Sequence, residues 1–355
     1  MGKFRLGVIG CGSMMENHVR GINQLDCVEI TAVCDILRDR AESVAASLGN
    51  DPKIFLDYEE MADAVDGVLI ALPHHLHYEC GMFFAHNGKH ILMEKPLCNT
   101  EEECVRLIEY CEEKKVTLMC AYPVRFWPGI VKLKEMVDSG EYGQMFQMSI
   151  WTEQLTGLNS SVLDKRRWGR TSCLGGGQLF SHGCHYIDLL LWFMGEPVYG
   201  THVGTNLGTP WMLREGTSAV TMKFESGAIA YHGGTWGARG TRLLYDFQIH
   251  TEKGMLEYDH FAGEVRLYDS NQMHRPGEET ESCQYQVVWS RGSDATKETQ
   301  HEIRHFVECA TTGKKPLTDG RSALQGLRVI WALYDAEKRG EIADLRGLGL
   351  AKDGE

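Results

Sequence analysis

Gly10-Cys11-Gly12-Ser13-Met14-Met15 stands between an apolar run, Phe4 to Ile9, and a helix-like stretch, Met14 to Leu25. Gly10 permits a tight turn. Gly12 lacks a side chain, so backbone can approach a pyrophosphate, which the helix N-terminus then attracts. Met15 occupies the place of the pattern's third glycine, a departure that bears on helix–strand packing and leaves the phosphate contact intact. Asp35 closes the next apolar run, Val28 to Cys34. A carboxylate there accepts hydrogen bonds from both ribose hydroxyls of NAD and repels a 2′-phosphate. The expected cofactor is therefore NAD, held by Gly10, Gly12, Ser13, Met14 and Asp35. Arg38 and Arg40 follow closely and leave dual use of NADP open. The competing reading of Asp35 is a cap on the following helix.

The elements that must position these residues alternate along the first third of the chain. Strand-like runs at Phe4 to Ile9, Val28 to Cys34, Gly67 to Leu72, His90 to Met93 and Val116 to Ala121 are separated by helical stretches. These include Arg38 to Leu48 and a helix beginning at Thr100, with Glu101, Glu102 and Glu103 in its first turn. Such alternation predicts a parallel sheet with helices on both faces. After Tyr122 the pattern changes. One helix follows Pro128, and strand-like runs at 144–152, 217–224, 228–236, 242–250 and 254–259 are interrupted by a helix near 183–194. Two helices, near 298–312 and 321–339, close the chain, while 270–297 is polar and unassigned. The expected organisation is an α/β Rossmann domain over 1–122 and an α+β domain over 123–355, built on an open, mostly antiparallel sheet.

Composition narrows the function. A net charge of −13 argues against non-specific binding to nucleic acid or an anionic membrane. No apolar run reaches membrane-spanning length, and the N-terminus lacks signal-peptide character. A cytoplasmic location is expected. Twelve cysteines without a C-x-x-C pair read as reduced, packed thiols.

Two further stretches carry a family resemblance. Leu72-Pro73-His74-His75-Leu76-His77, then Gly88-Lys89-His90 and Glu94-Lys95-Pro96-Leu97, resemble the later part of the dinucleotide domain in the glucose-fructose oxidoreductase / inositol dehydrogenase / rhizopine catabolism (Gfo/Idh/MocA) family. Gly175-Gly176-Gly177-Gln178-Leu179, then Gly183, His185, Asp188 and Trp192, resemble that family's catalytic helix. Smaller echoes are Arg125-Phe126, Phe224-Glu225-Ser226-Gly227, Glu252-Lys253-Gly254 and Gly313-Lys314-Lys315-Pro316. The resemblance runs in order over nearly the whole chain.

It implies oxidation of a sugar hydroxyl, with Lys95 reaching the reacting oxygen, His185 as the catalytic histidine, and Leu72, Pro73, His74, His77 and Glu94 near the nicotinamide. An ammonium at Lys95 stabilises a developing alkoxide and relays the proton; imidazole suits proton transfer at neutral pH. Many members carry an aspartate four residues before the histidine. This chain has Ser181, with His182 next to it, so another group must orient His185. His182 is the candidate, and Asp188, one turn on, is a second. His74, His75 and His77 invite a metal reading, but they fall in the loop that the family uses for nicotinamide, so no metal is expected. Tyr122, Arg125, Trp127, Trp168 and Arg166-Arg167 are expected around a sugar, on which aromatic rings stack.

The missing aspartate resembles members that oxidise glucosides at C3. An NAD-dependent glycosidase using transient C3 oxidation, and an inositol dehydrogenase, are the alternatives. A homo-oligomer through the C-terminal sheet, dimeric or tetrameric, follows from the resemblance.

Overall fold

The computed structural model describes residues 2–155, 176–268, 285–291 and 298–348. The chain forms two compact units. One gathers 2–126 and 298–327; the other gathers 127–155, 176–268, 285–291 and 328–348.

The first unit holds a sheet of β1 (Phe4–Ile9), β2 (Val28–Cys34), β3 (Lys53–Phe55), β4 (Gly67–Ile70), β5 (His90–Glu94) and β6 (Leu118–Ala121). All pairs are parallel, in the order β3-β2-β1-β4-β5-β6. β4 and β6 are buried at every residue, as expected of parallel strands covered on both faces. The covering helices are α1 (Ser13–Ile22), α2 (Arg38–Ala46), α3 (His77–His86) and α4 (Glu101–Lys114). α4 starts with a capping box: Thr100 Oγ1 accepts from Glu103 N, and Glu103 Oε2 accepts from Thr100 N. Strand order reverses between β1 and β4. In a doubly wound sheet, that switch point opens a crevice at the carboxyl ends of the strands.

The second unit contains α5 (Pro128–Asp138), β7 (Met145–Glu153), α6 (Cys184–Met194) and β8 to β14. The strands after α6 are β8 (Pro197–Thr205), β9 (Thr217–Phe224), β10 (Ile229–Thr235), β11 (Tyr245–Thr251), β12 (Gly254–Asp259), β13 (Glu264–Tyr268) and β14 (Gln286–Ser290). α7 (Gln300–Thr312), α8 (Gly320–Arg339) and β15 (Ala343–Asp344) follow. Among the described residues the sheet order is β14-β13-β12-β11-β7-β10-β9-β8-β15. Only β7 and β10 run parallel; the rest is antiparallel and open.

The chain returns to its first unit near the C-terminus, which a single boundary at 122–123 does not capture. Ile303, Phe306 and Val307 of α7 share one core with Phe4, Met15, Val19 and Ile22. Thr299 Oγ1 donates to Asn17 O at 3.1 Å. Among the described residues the ten cysteines form no disulfide, and burial pushes the Cys11, Cys34 and Cys111 thiols up to about 12. Among the described residues, no helix is long and apolar enough to cross a membrane.

Candidate active site

In the first unit the sequence-designated residues collect at one edge. Gly10 follows β1, Asp35 follows β2, Leu72-Pro73-His74 follow β4, Lys95 follows β5 and Tyr122 follows β6. Gly10 has φ +87°, and a Cβ there would lie 2.5 Å from Ala71 O, so both turn and neighbour require glycine. A Cβ at Gly12 would meet nothing within 4 Å, which leaves the open backbone approach a pyrophosphate needs at the start of α1. Ser13 and Met14 form the first turn of that helix.

Asp35 does two jobs. Its Oδ2 accepts from Cys11 N at 2.8 Å, which pins the glycine loop, and its Oδ1 accepts from Leu37 N at 2.8 Å just ahead of α2. Arg38 is exposed and pairs with Glu42. The cap-like contact is thus real, and it coexists with a carboxylate at the end of β2, where the sequence pattern expects the ribose. Asp35→Ala is expected to shrink a preference for NAD over NADP, because like-charge juxtaposition is worth several kcal/mol. It should also weaken both cofactors, since Cys11 N loses its acceptor. Kinetics with both cofactors on both proteins measure this, and a preference unmoved by the substitution would remove Asp35 from cofactor choice.

His77 differs from its expected role. The ring is fully buried, with Nδ1 2.9 Å from Pro96 O and Nε2 2.9 Å from Leu72 O. It braces the loop after β4 against the turn after β5 and presents no edge to a ligand. Burial pushes its pKa down, against the pull of those carbonyls and of Glu94. His74 is also buried and packs edge-on to His77. Glu94 is turned inward. Its Oε1 lies 2.7 Å from His18 Nε2, and its Oε2 accepts from Lys95 N at 3.1 Å. Burial raises a carboxyl, but the His18 hydrogen bond and charge, with Lys95, outweigh it and hold Glu94 down at about 2. Both oxygens are engaged within the chain, one with His18 and one with the backbone of Lys95. Lys95 itself is half-buried. Arg125 is buried and donates Nη1–H to Leu317 O at 3.2 Å; Tyr122 is buried as well.

In the second unit, Ser181 and His182 lie on a single π-helical turn, Leu179–Gly183, that leads into α6 and His185. Such turns displace side chains from the regular helical register. The helix start is anchored by two groups distant in sequence. Tyr334 OH donates to Glu215 Oε1 at 2.5 Å and accepts from Gly177 N and Phe180 N, while Leu179 N donates to the same Oε1. These contacts satisfy N–H groups that a helix start leaves open. Burial raises the Glu215 pKa. At Gly183 a Cβ would lie 2.8 Å from Leu179 Cδ1 and 3.3 Å from His232 Cε1, so glycine lets the helix approach β10.

His182 sits inside an aromatic cluster: Tyr186 at 5.2 Å, His185 at 5.9 Å, Trp236 and Tyr245 at 6.1 Å between centroids. Trp127 and His260 extend it beyond Tyr245. The structure thus brings Ser181, His182 and His185 together with Asp188 on one turn and helix. Trp168, Arg166 and Arg167 lie outside the described residues. Sequence reasoning missed His18, Glu215, Trp236, Tyr245, His260 and Tyr334, which sit 76 or 119 residues from their partners or at ordinary strand ends. Among the described residues, no group of three or more His, Cys, Asp or Glu side chains is placed to hold a metal.

Comparison with known proteins bears on the family and the fold. The profile described as "Oxidoreductase family, NAD-binding Rossmann fold" matches residues 4–122, and that of the GFO/IDH/MocA C-terminal domain matches 130–257. A D-xylose 1-dehydrogenase (NADP(+)) of Haloferax volcanii is 27% identical over 96% of this chain and 99% of its own length. A 2,7-anhydro-N-acetylneuraminate hydratase of Escherichia coli is 28% identical over 74% of this chain and 69% of its own. A levoglucosan dehydrogenase solved with NADH and levoglucosan superposes with a TM-score of 0.84 at 20% identity, covering 97% of this chain and all of that one, which bears on the fold alone. With both domains matched in order and the glycine loop, Lys95 and the His185 helix in place, the chain belongs to the Gfo/Idh/MocA oxidoreductase family, and its first unit is that family's NAD-binding Rossmann fold.

Proposed function

We propose that this protein oxidises a secondary hydroxyl of a sugar or glycoside, C3 of a glucoside in the specific reading, with NAD as the hydride acceptor. The observation that carries it is the placement of Lys95 at the carboxyl end of β5, in the same row of strand ends as Gly10, Gly12 and Asp35. In the reaction the substrate loses a hydride from carbon and a proton from oxygen. NAD supplies the hydride acceptor. Lys95 stabilises the alkoxide as the O–H bond breaks, and His185 takes the proton, with His182 beside it. Trp236, Tyr245 and Trp127 provide ring faces of the kind on which sugars stack. The relative named for D-xylose supports the substrate class.

Ser181 supports a neutral and larger substrate. It is buried where many members carry an aspartate, so no extra charge is added beside His182. A second reading, redox-recycling elimination from a glycoside, is favoured by the relative named as a hydratase, since hydration leaves no net redox change. Self-association through the C-terminal sheet fits the exposure of Tyr199, Val203 and Ile229 on one of its faces.

The test is a panel of free sugars, inositols and O- and C-glucosides, followed by NADH absorbance with mass spectrometry of the products. Stoichiometric NADH with a keto-glycoside is expected. Aglycone release without NADH would select the elimination reading. Turnover of inositols alone would overturn the glycoside assignment.

A further inference from the structure

We infer that His18 is a positioning residue for Lys95, acting through Glu94, so that a buried histidine–carboxylate pair links the helix of the cofactor loop to the proton-transfer lysine. The inference rests on the reading of Lys95 given above. His18 stands on α1, the helix that begins directly after Gly12, and is completely buried. Its Nε2 is 2.7 Å from Glu94 Oε1, and its Nδ1 is 3.9 Å from Glu302 Oε1 on α7. Glu302 is also completely buried. The charged and titratable groups around Glu94 are therefore His18 from α1, Lys95 directly after its strand and His77 from α3, with Glu302 behind His18.

A buried carboxylate deprived of partners gives up its charge, because burial disfavours the ionised form. Here His18 supplies the partner from one side and Lys95 N–H from the other. An ionised acceptor makes a stronger hydrogen bond to that N–H than a neutral one. The bond fixes the backbone of Lys95 at the point where β5 ends and the chain turns into Pro96, and so fixes the direction in which the lysine side chain leaves the strand. His18 is thus required for the lysine's aim without touching a reacting atom. The same imidazole bridges α1, β5 and α7, three segments brought together only by the fold.

The test uses the full chain, NAD and the best sugar of the panel. His18→Phe keeps ring volume and removes the partner. Its kcat is expected to fall by about 10²-fold, the scale of a small misplacement of a catalytic group, while NADH affinity, read by fluorescence, is retained. The acid limb of kcat/KM should steepen by one proton, because Glu94 then titrates within the assay range. His18→Gln, which keeps a donor near the Nε2 position, should restore most of kcat and the original limb. Glu94→Gln should lower kcat on its own, and adding His18→Phe should lower it no further, as for residues acting as a unit. A folded His18→Phe with unchanged kcat and limb overturns the inference, as do losses that multiply in the double variant. If His18→Phe does not fold, Glu94→Gln decides: wild-type kcat there overturns the inference. Lys95→Ala is measured alongside. Full turnover in that variant removes the lysine reading itself, a different failure from that of the pair.

Discussion

Lys95→Ala is expected to lower turnover by about 10²–10⁴, the range for loss of a positioned acid/base group, with NADH binding retained. The separation follows from the placement of the two functions. The glycine loop and Asp35 belong to the ends of β1 and β2, and Lys95 to the end of β5. Lys95 N–H remains in the variant to bond Glu94, so the backbone at the strand end is preserved. The effect therefore isolates the ammonium. Fluorescence titration with NADH and steady-state kinetics on the active sugar check it together, and near-normal turnover would place the site elsewhere.

His185→Ala is expected to cost a comparable factor, about 10²–10⁴, and to erase the acid limb of kcat/KM in the histidine range. A base works unprotonated, so as pH falls the acceptor is lost and the rate falls with it; the variant has nothing left to titrate there. Burial of the neighbouring helix argues that the substitution leaves the fold standing: α6 is buried along almost its whole length by Ile187, Leu189, Leu190 and others. The double variant with Lys95→Ala should be little worse than either single, since the proposed reaction gives both a part in one proton transfer. An unchanged acid limb in His185→Ala would assign that limb to another group.

Much of the architecture was legible because apolar runs closed by glycine or acid coincide with strands. β1 and β2 fall at their expected residues, and β7, β9, β10, β11 and β12 within a few residues of theirs. β8 escaped notice because its outward positions carry Tyr199, Thr201 and Val203 while Gly200 and Gly204 interrupt the run. α3 escaped because His77, His86 and Gly81 mask its periodicity, and its burial is set by the sheet beneath it. β13 and β14 rest on pairing, which single-strand composition does not encode. For the site, local motifs marked the residues proposed to meet a ligand: the glycine loop, Asp35, Lys95 and His185. They did not reveal what holds those groups. The His18–Glu94 contact spans 76 positions and the Tyr334–Glu215 contact 119, distances at which a motif carries no information. They also misassigned His77, whose residue type suggests a ligand contact and whose burial makes it a brace.

The return of α7 to the first unit has a consequence for synthesis. A ribosome releases the Rossmann strands early, yet the core beneath α1 lacks Ile303, Phe306 and Val307 until the last sixth of the chain has emerged. Nascent domains generally fold as units in order of their appearance. Here the N-terminal nucleotide-binding third must wait, with an apolar groove along α1 uncovered, while the residues up to α7 are made. Chaperone engagement is therefore expected to persist through most of translation, and a messenger truncated after residue 126 should yield an aggregating product in place of a small cofactor-binding protein.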